Sequence, residues 1–464
     1  MNADTILNKY ILQFMTDPYY PEGYLSIMES RIVSNSRLCR AAVETGLDKF
    51  ILTKPFTGAK WRPMYIDDLL KVDPSKLGKR TISTKTLADV VESLIGASYL
   101  DGGIDRALTC IRVFIPDVEW RPLDTARRVL AEQKPKRREL PSTLEPLEAL
   151  LGYTFQNKTL AVEAMTHSSF NAAERAGETC MERLEFIGDA VLDNVVVSYL
   201  WNCGRELGHY RMHLLRAACV NADLLGFLVM EWAYEEVATR IADDNAKTTL
   251  ETTLRVPVWR LMRHNSPSLS ESQTLAEQNH AAGRDAILAS MREDPEYPWA
   301  ALAQLEIPKS FSDLFEAIIG AVWLDASSSS DSDAGPMEVC RRVAERAGIL
   351  PYLRRMVADN VVAAHPKNRL GELAGTMGRK VIYEPERRRR RADGDVDADG
   401  ARAEWVCRVF LASELVVEVD GGVNKEEVVT KAADAALKKL SGDAATDVVA
   451  DADAVVTDGD VVMT

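Results

Sequence analysis

Apolar residues recur every three to four positions along most of the chain, a spacing typical of helices that bury one face. The pattern covers a first region, 1–121, and a second region, 144–353, which a polar insertion at 244–294 interrupts. In the first region it predicts helices over 5–14, 24–45, 66–70 and 83–100. A charged stretch, 122–143, separates the two regions and is predicted to be a linker.

The pattern changes near the C-terminal end, where 366–440 is predicted to form a small α+β module. Strands are predicted over 380–383, 405–412 and 414–420, between helices over 369–377 and 425–440. The final stretch, 441–464, contains six aspartates and no lysine or arginine, which predicts a disordered acidic tail. The predicted fold class is therefore mainly α: two tandem all-helical domains, then the module and the tail.

Two similar segments each contain an aspartate and a glutamate three positions apart. Asp89 and Glu92 lie in LADVVESLIGASYLD, and Asp313 and Glu316 lie in FSDLFEAIIGAVWLD, 224 residues later. This offset is too long for a solenoid repeat and fits two related domains in tandem. Carboxylates with this spacing share one helix face, and oxygen-rich faces of this kind bind Mg²⁺.

A third acidic pattern lies just C-terminal to residue 180. Glu182, Glu185 and Asp189 form one stripe of a predicted helix whose opposite side is apolar. Taken alone, such a stripe is most often a solvated helix face. Its combination with Asp313 and Glu316 in the same predicted domain favours a metal site, because a cation offsets the repulsion between like charges.

Composition limits the class of protein without identifying a partner. The chain has 464 residues, 46% hydrophobic and 27% charged, which is ordinary for soluble globular domains. It has no apolar stretch of membrane-spanning length, so no membrane partner is predicted. Seven cysteines form no CxxC pair, which indicates an intracellular, reducing compartment, cytoplasm or nucleus. The net charge of −14 lies partly in the acidic tail and neither supports nor excludes nucleic acid.

The segment ERLEFIGDAVL, 182–192, resembles the signature helix of ribonuclease III domains. Further segments resemble that family's other motifs in the same order, at 151–155, 164–169, 221–224 and 309–316. The resemblance to this domain spans about 147–350. Two such domains in tandem, followed by a module similar to a double-stranded-RNA-binding domain, resemble the C-terminal part of Dicer-like endoribonucleases of the fungal type.

This resemblance implies an endoribonuclease that hydrolyses double-stranded RNA with Mg²⁺, or with Mn²⁺ in its place. It implies a role in small-RNA processing, RNA-mediated gene silencing and antiviral defence. The implied catalytic and metal-binding residues are Glu185, Asp189, Asp313 and Glu316, with Glu182 as an outer carboxylate. The implied partners are double-stranded RNA, the other ribonuclease III domain of the same chain, a second copy in a homodimer, and small-RNA effector proteins.

In the first domain the implied metal ligands are Asp4, Asp89 and Glu92. Asp4 corresponds to Asp189, because each precedes an Asn-x-x-Leu segment by nearly the same distance. No residue of this chain corresponds to Glu185, so the first domain is expected to be N-terminally incomplete. An incomplete carboxylate set binds Mg²⁺ weakly. We therefore expect a weak or inactive first site, and nicking of one RNA strand more readily than cleavage of both.

The C-terminal module retains only part of an RNA-binding pattern. Double-stranded-RNA-binding domains read duplex shape and phosphates, and the family uses lysines at the start of the last helix. Here Lys425 is kept, whereas Glu426 and Val429 occupy the other two positions, so strong RNA affinity is not expected. A run of arginines is predicted in the first inter-strand loop: Arg387, Arg388, Arg389, Arg390 and Arg391. It is either a phosphate-contacting loop, a loop neutralised by the aspartates that follow, or a nuclear targeting signal.

Two alternatives to the nuclease are open at this point. The first is a non-catalytic scaffold or RNA-binding fragment that has the ribonuclease III fold. The second is a di-iron carboxylate protein, which uses Glu-x-x-His pairs on packed helices. Such pairs occur at Glu206/His209 and Glu277/His280, but a glycine interrupts the first and the second lies in the polar insertion. His167 is interpreted as a structural hydrogen-bond partner rather than a base.

Overall fold

The computed structural model describes residues 22–51, 82–170, 179–241, 249–326, 335–389 and 403–453. The helices in these ranges are α1 (Glu22–Ile32), α2 (Asn35–Glu44), α3 (Thr84–Phe114), α4 (Leu123–Gln133), α5 (Glu145–Leu151), α6 (Lys158–Ala164), α7 (Glu182–Asn202), α8 (His209–Cys219), α9 (Ala222–Glu231), α10 (Pro267–Glu293), α11 (Trp299–Ala303), α12 (Lys309–Asp325), α13 (Pro336–Arg346), α14 (Ile349–Ala358), α15 (Pro366–Thr376) and α16 (Lys425–Asp453). The strands are β1 (Ala233–Ile241), β2 (Thr249–Pro257), β3 (Val381–Arg389), β4 (Ala403–Leu411) and β5 (Glu414–Gly422). The predicted mainly α class is confirmed.

The chain forms two compact units, and the predicted domain bounds stay predictions. The first unit comprises Met1–Met212, Glu231–Ser266 and Ser310–Leu350. The second comprises His213–Met230, Pro267–Lys309 and Pro351–Thr464. Each unit is therefore assembled from three segments that are distant in sequence.

The helix predicted over 24–45 is divided into α1 and α2. Ser34 leaves the helical conformation between them, and its side chain accepts a hydrogen bond from the Arg37 N–H, which caps α2. A polar side chain at this position competes for backbone donors, so the break has a local cause. The helices predicted over 5–14 and 66–70 lie outside the described residues.

The helix predicted over 83–100 extends to the end of α3. It crosses a kink at Gly102 and Gly103, where the backbone leaves the helical region. Glycine permits this change of direction because it lacks a Cβ.

In the first unit α1 contacts α7, so the two predicted ribonuclease III domains meet within one chain.

The segment predicted as a linker, 122–143, contains helix α4. Its Arg127 is buried, and the guanidinium carbon lies 4.6 Å from the ring centroid of Trp323 on α12. Burial lowers the pKa of Arg127, while the Asp124 carboxylate, 3.5 Å away, acts in the opposite direction. The charge pattern predicts a linker, and this buried cation–π contact holds its helix α4 against the second helical region.

The helices α7 and α12 are buried along most of their length. Their large buried side chains include Val191, Leu192, Phe311, Phe315 and Trp323. Asp325 ends α12 and is only 1% exposed. Its carboxylate accepts hydrogen bonds from the Tyr153 hydroxyl at 2.7 Å and from the backbone N–H groups of Gln156 and Asn157 at 2.7 and 2.9 Å. This acid therefore fixes the loop before α6, a structural use of a polar group.

The second helical region also contains a hairpin, in which β1 and β2 pair antiparallel along their full length. This corrects the prediction of an all-helical domain. The β-branched residues of β2 favour a strand: Thr249, Thr252, Thr253 and Val256. Most of the predicted polar insertion, 244–294, is the 27-residue helix α10. Its buried residues Ala276, His280 and Ile287 explain why an otherwise polar segment folds as a helix.

The C-terminal module has the predicted helix–strands–helix order, with an antiparallel sheet in the order β3-β4-β5. Its core is formed by α15, the sheet and α16, and includes Leu370, Cys407, Val409, Ala432 and Ala436. The backbone of α16 continues to Asp453, beyond the predicted end at 440, into the segment predicted as an acidic tail. No single helix of the described residues is long and apolar enough to cross a membrane. Helices α8 and α9, taken together as a bent pair, have the length and composition of a membrane span.

Candidate metal centre

Three carboxylates from two helices meet at one place in the first unit. Glu185 on α7 and Asp313 and Glu316 on α12 each offer an oxygen, and these oxygens all lie within 4.8 Å of one another. All three residues are partly buried. Like charges at this distance repel strongly in a partly buried setting, so the arrangement suits a bound cation. Hard divalent ions such as Mg²⁺ take oxygen ligands, which are what this site offers.

The carboxylates converge because α7 and α12 cross at two glycines. A Cβ atom added to Gly188 would lie 1.7 Å from the carbonyl oxygen of Glu316. A Cβ added to Gly320 would lie 2.2 Å from the carbonyl oxygen of Leu184. The two backbones are thus in direct contact, and only glycine fits at either position. Glu185 and Glu316 each lie about one turn before the glycine of their own helix, on the same side of the crossing.

The spacing of glycines in the sequence is a signal for this crossing. Both acidic repeats have a glycine four residues after the glutamate, at Gly96 and Gly320. The glycine of the signature helix, Gly188, stands three residues after Glu185. Glycine inside a helix costs stability, so a glycine repeated at the same distance from a candidate ligand indicates a close backbone approach.

The remaining predicted residues of this site lie on α7. Asp189 follows Glu185 by one turn and is exposed, and it is not part of the group of three mutually close carboxylates. Glu182 is also exposed and accepts a weak hydrogen bond from the Cys180 thiol at 3.5 Å. Asp189 as a fourth ligand and Glu182 as an outer carboxylate therefore stay predictions.

His167 lies in a loop that is tied to residues 263–265. Its Nδ1 accepts a hydrogen bond from the Ser169 backbone N–H at 3.1 Å, and the His167 backbone N–H donates to the Arg263 carbonyl at 3.0 Å. Burial lowers the pKa of His167 and His264 lowers it further, against the opposing effects of nearby Glu182 and Asp313. These contacts agree with the interpretation of His167 as a structural hydrogen-bond partner.

In the first predicted domain, Asp89 and Glu92 lie together on α3. Both oxygens of Asp89 accept hydrogen bonds from the Lys85 ammonium group at 2.8 Å. Within the described ranges, neither acid belongs to a group of three close metal-binding side chains. Asp4, the third predicted ligand, lies outside the described residues.

The Glu-x-x-His pairs of the di-iron alternative form no comparable centre. His280 is buried against Phe227, with ring centroids 5.6 Å apart. Among the residues that the structure describes, neither Glu206/His209 nor Glu277/His280 enters a group of three close metal-binding side chains. The carboxylate group on α7 and α12 is therefore the stronger candidate.

The start of α16, the predicted RNA-contacting helix, is packed against other protein segments. Lys425 is exposed, whereas Glu426 pairs with Lys367 at 3.1 Å and Val429 is buried. The Asn424 side chain accepts a hydrogen bond from the Glu427 N–H at 2.9 Å and donates one to the Ala303 carbonyl of α11 at 2.7 Å. Only one of the three expected lysine positions therefore offers an exposed cation.

The arginine run was predicted in a loop, but Arg387, Arg388 and Arg389 belong to β3. This correction follows from cross-strand pairing, because they lie opposite Trp405, Glu404 and Ala403 of β4. The charge of Arg388 is neutralised by Glu386 at 3.4 Å and Glu418 at 3.3 Å. Arg390 and Arg391 lie outside the described residues. The paired charges weaken the interpretation of this run as a phosphate-binding loop.

We expect the substitution Asn424→Ala to destabilise the second unit without changing affinity for duplex RNA. It removes a helix cap, which costs about 1 kcal/mol, and also the hydrogen bond to Ala303. Urea unfolding measures the stability change and fluorescence anisotropy measures RNA affinity. The exposed neighbour Lys425→Ala is the control and should leave stability unchanged. A fivefold or greater loss of RNA affinity in Lys425→Ala would instead show that this helix contacts RNA.

A mainly helical domain that brings carboxylates from two crossing helices together agrees with a metal-dependent nuclease of the ribonuclease III type. The Ribonuclease III domain family model matches residues 4–103 and 182–327, together more than half of the chain. The chain belongs to the ribonuclease III family. The two matched segments agree with the two tandem domains predicted from the sequence, and this family is dependent on divalent metal ions.

Curated relatives extend the match beyond these two segments. Dicer-like protein 2 of Cryphonectria parasitica is 41% identical over 443 residues, covering 92% of this chain and 29% of that protein. Dicer-like protein 2 of Pyricularia oryzae is 43% identical over 430 residues, covering 89% of this chain and 28% of that protein. The chain thus spans less than a third of these relatives. A solved nuclease domain of ribonuclease III from Campylobacter jejuni is 26% identical, covers 44% of this chain and 94% of that chain, and has a TM-score of 0.26.

Proposed function

We propose that this chain is a Mg²⁺-dependent endoribonuclease that hydrolyses double-stranded RNA at the centre formed by Glu185, Asp313 and Glu316. The observation that carries the proposal is the convergence of these three partly buried carboxylates within 4.8 Å. Family membership supports the same chemistry. The exposed residues Asp189 and Glu182 lie on the solvent side of the same helix stripe, where a substrate can approach.

The three carboxylates would hold the metal, and Asp189 would complete the set. Bound Mg²⁺ supplies an activated water and stabilises charge on the leaving oxygen. The protein's contribution is to fix the ligand positions through the backbone contact at Gly188 and Gly320. Its acidic site repels RNA phosphates on its own, so productive substrate binding depends on the cation. Mn²⁺ has similar oxygen-ligand chemistry and is expected to substitute for Mg²⁺.

We further propose that the substrates are duplex precursors in small-RNA processing, since the relatives are Dicer-like proteins. The contact between α1 and α7 supports intramolecular pairing of the two domains as the arrangement that binds the duplex. All seven cysteines are free thiols, which supports a reducing, intracellular location.

The test is cleavage of a long RNA duplex whose two strands are labelled separately. We expect cleavage with Mg²⁺ or Mn²⁺ and none with EDTA. Single-stranded RNA of the same sequence and the corresponding DNA duplex are the matched controls and should stay intact. Metal-independent cleavage would refute the proposed chemistry. Binding of the duplex without cleavage in any metal would favour the non-catalytic RNA-binding fragment.

A further inference from the structure

A short basic segment lies between α4 and α5, at 134–138 with the sequence KPKRR. Its first lysine, Lys134, is largely buried, whereas Lys136, Arg137 and Arg138 are exposed. We call these three exposed residues the basic strip. The metal centre does not use them, and nothing in their sequence alone distinguishes them from an ordinary solvated linker.

The basic strip follows a lysine that is anchored in the second ribonuclease III domain. The Lys134 ammonium lies 2.7 Å from the Glu163 carboxylate, which is 1% exposed. It also donates a hydrogen bond to the Thr179 hydroxyl at 2.9 Å. A buried ion pair with a further hydrogen-bond partner has a defined geometry, since removing either ion would leave the other uncompensated. The segment is therefore fixed at this end.

The backbone of the strip is anchored as well. The Thr159 hydroxyl donates to the Pro135 carbonyl at 2.6 Å, and the Lys158 N–H donates to the Arg137 carbonyl at 3.0 Å. The Arg137 N–H donates to the Asn157 side-chain oxygen at 3.3 Å. The strip is thus held against the start of α6, so its exposed cations form a fixed surface.

Lys134, the anchor of this surface, lies near the helix that carries the metal ligand Glu185. Thr179, which contacts Lys134, precedes the first residue of α7 by three positions. Chain geometry places the Cα of Lys136 within about 7 Å of that of Lys134, and the Cα of Arg138 within about 14 Å. A duplex that extends beyond the metal centre would offer phosphates to the long basic side chains of the strip.

Several arginines at the surface of the described structure are less suited to bind phosphate, because acidic neighbours already neutralise them. Arg341 and Arg342 both pair with Glu338, and Arg408 pairs with Glu418 at 2.6 Å. By contrast, Lys136 and Arg138 lie in no ion pair with another residue of the described ranges. On a chain of net charge −14, an anchored basic surface in the same unit as the acidic site is a specific place for a polyanion.

We propose that Lys136, Arg137 and Arg138 contact the phosphate backbone of an RNA duplex held at the metal centre. The proposal rests on the proposed function and adds a substrate-binding surface to it. These contacts position the duplex and carry no sequence preference. The alternative is that a nuclear transport receptor binds the KPKRR segment, but such a receptor binds an extended segment that is detached from the rest of the fold. The occupied backbone groups at Pro135 and Arg137 argue against that alternative.

The test uses the double variant Lys136→Ala/Arg138→Ala in the full chain. Duplex binding is measured by fluorescence anisotropy over a range of salt concentrations, in a Glu316→Gln background so that the RNA is not cut. We expect affinity to fall about 10-fold at physiological salt and the slope of log K against log salt to decrease by about 2, one for each lost phosphate contact. The loss should be equal for duplexes of different sequence.

The matched control is Arg128→Ala/Arg342→Ala, which removes the same net charge from exposed residues that pair with Glu132 and Glu338. Its affinity for the duplex should stay within twofold of that of the parent, and its salt slope should be unchanged. Equal affinity and slope in the strip variant and its parent would overturn the proposal. Loss of nuclear accumulation of a fluorescent fusion, with RNA binding unchanged, would assign the segment to a transport receptor instead.

The two proposals fail in different ways. If the chain without substitutions binds no duplex RNA, the proposed function itself is wrong. If it binds and cuts duplex RNA but the strip variant is indistinguishable from it, only the basic strip is wrong. A charge-reversal variant, Lys136→Glu/Arg138→Glu, should weaken binding more than the alanine variant, because it adds repulsion. Thermal unfolding of both variants should match that of the parent, since the substituted side chains are exposed.

Discussion

Replacing Glu316 by glutamine removes the cleavage of duplex RNA, with an expected rate loss on the order of 1000-fold in Mg²⁺. Glutamine has the same size and keeps the packing of a partly buried side chain, but it provides no negative charge. The remaining pair, Glu185 and Asp313, binds a divalent ion more weakly, so the negative charge on the leaving oxygen is less stabilised. Single-turnover cleavage of a duplex with separately labelled strands measures the loss on each strand. Raising the metal concentration should recover part of the rate.

The matched control is Glu92→Gln, the same substitution at the equivalent position of the first acidic repeat. Its effect should be smaller, because its neighbour Asp89 is bound by Lys85 through both oxygens. In the described part of the chain no third carboxylate joins that pair. Loss of cleavage on a single strand in this variant would show a working first site. Full activity of Glu316→Gln together with inactivity of Glu92→Gln would place the chemistry in the first domain and refute the assignment.

The sequence predicted the helices that carry the site better than the way in which they meet. Spacing of three residues placed Asp313 and Glu316 on one helix face, and that helix is α12. Their approach to Glu185 depends on where two helices cross, which local spacing does not encode. The resemblance to ribonuclease III domains supplied that information. The distance between the carboxylates, and the backbone contact at Gly188 that sets it, required the three-dimensional structure.

The elements that the sequence misassigned share a cause, since each depends on contacts distant along the chain. Residues 387–389 form a strand because β4 pairs with them. The predicted linker contains α4 because Arg127 packs on Trp323, almost 200 residues further along the chain. Helix α10 has a mostly polar sequence, and it folds as a helix because a few of its residues are buried against distant segments, as His280 is against Phe227. Local composition determines propensity, and tertiary packing overrides it.

A second large effect is expected from Gly188→Ala, a substitution that touches no ligand. The added Cβ would lie 1.7 Å from the carbonyl oxygen of Glu316, about half of an ordinary contact distance. Because the obstructing atom belongs to the backbone of α12, the two helices must separate. Misplacement of a catalytic group by about 1 Å costs about 100-fold in rate, so we expect a loss of that size or larger. Overpacking should also lower the free energy of unfolding by about 1–3 kcal/mol.

The change in rate must be distinguished from loss of folded protein, and the metal dependence provides that distinction. If Glu185 moves away from Asp313 and Glu316, the metal concentration for half-maximal cleavage rises, whereas partial unfolding lowers only the amplitude. Gly371→Ala is the matched control, because Gly371 also lies inside a helix but has no atom within 4 Å of an added Cβ. It should keep full activity and gain stability of up to about 1 kcal/mol. If Gly188→Ala retained the rate and metal dependence of its parent, the helix crossing would not determine the spacing of the carboxylates, and the origin of the site would have to lie elsewhere in α7 and α12.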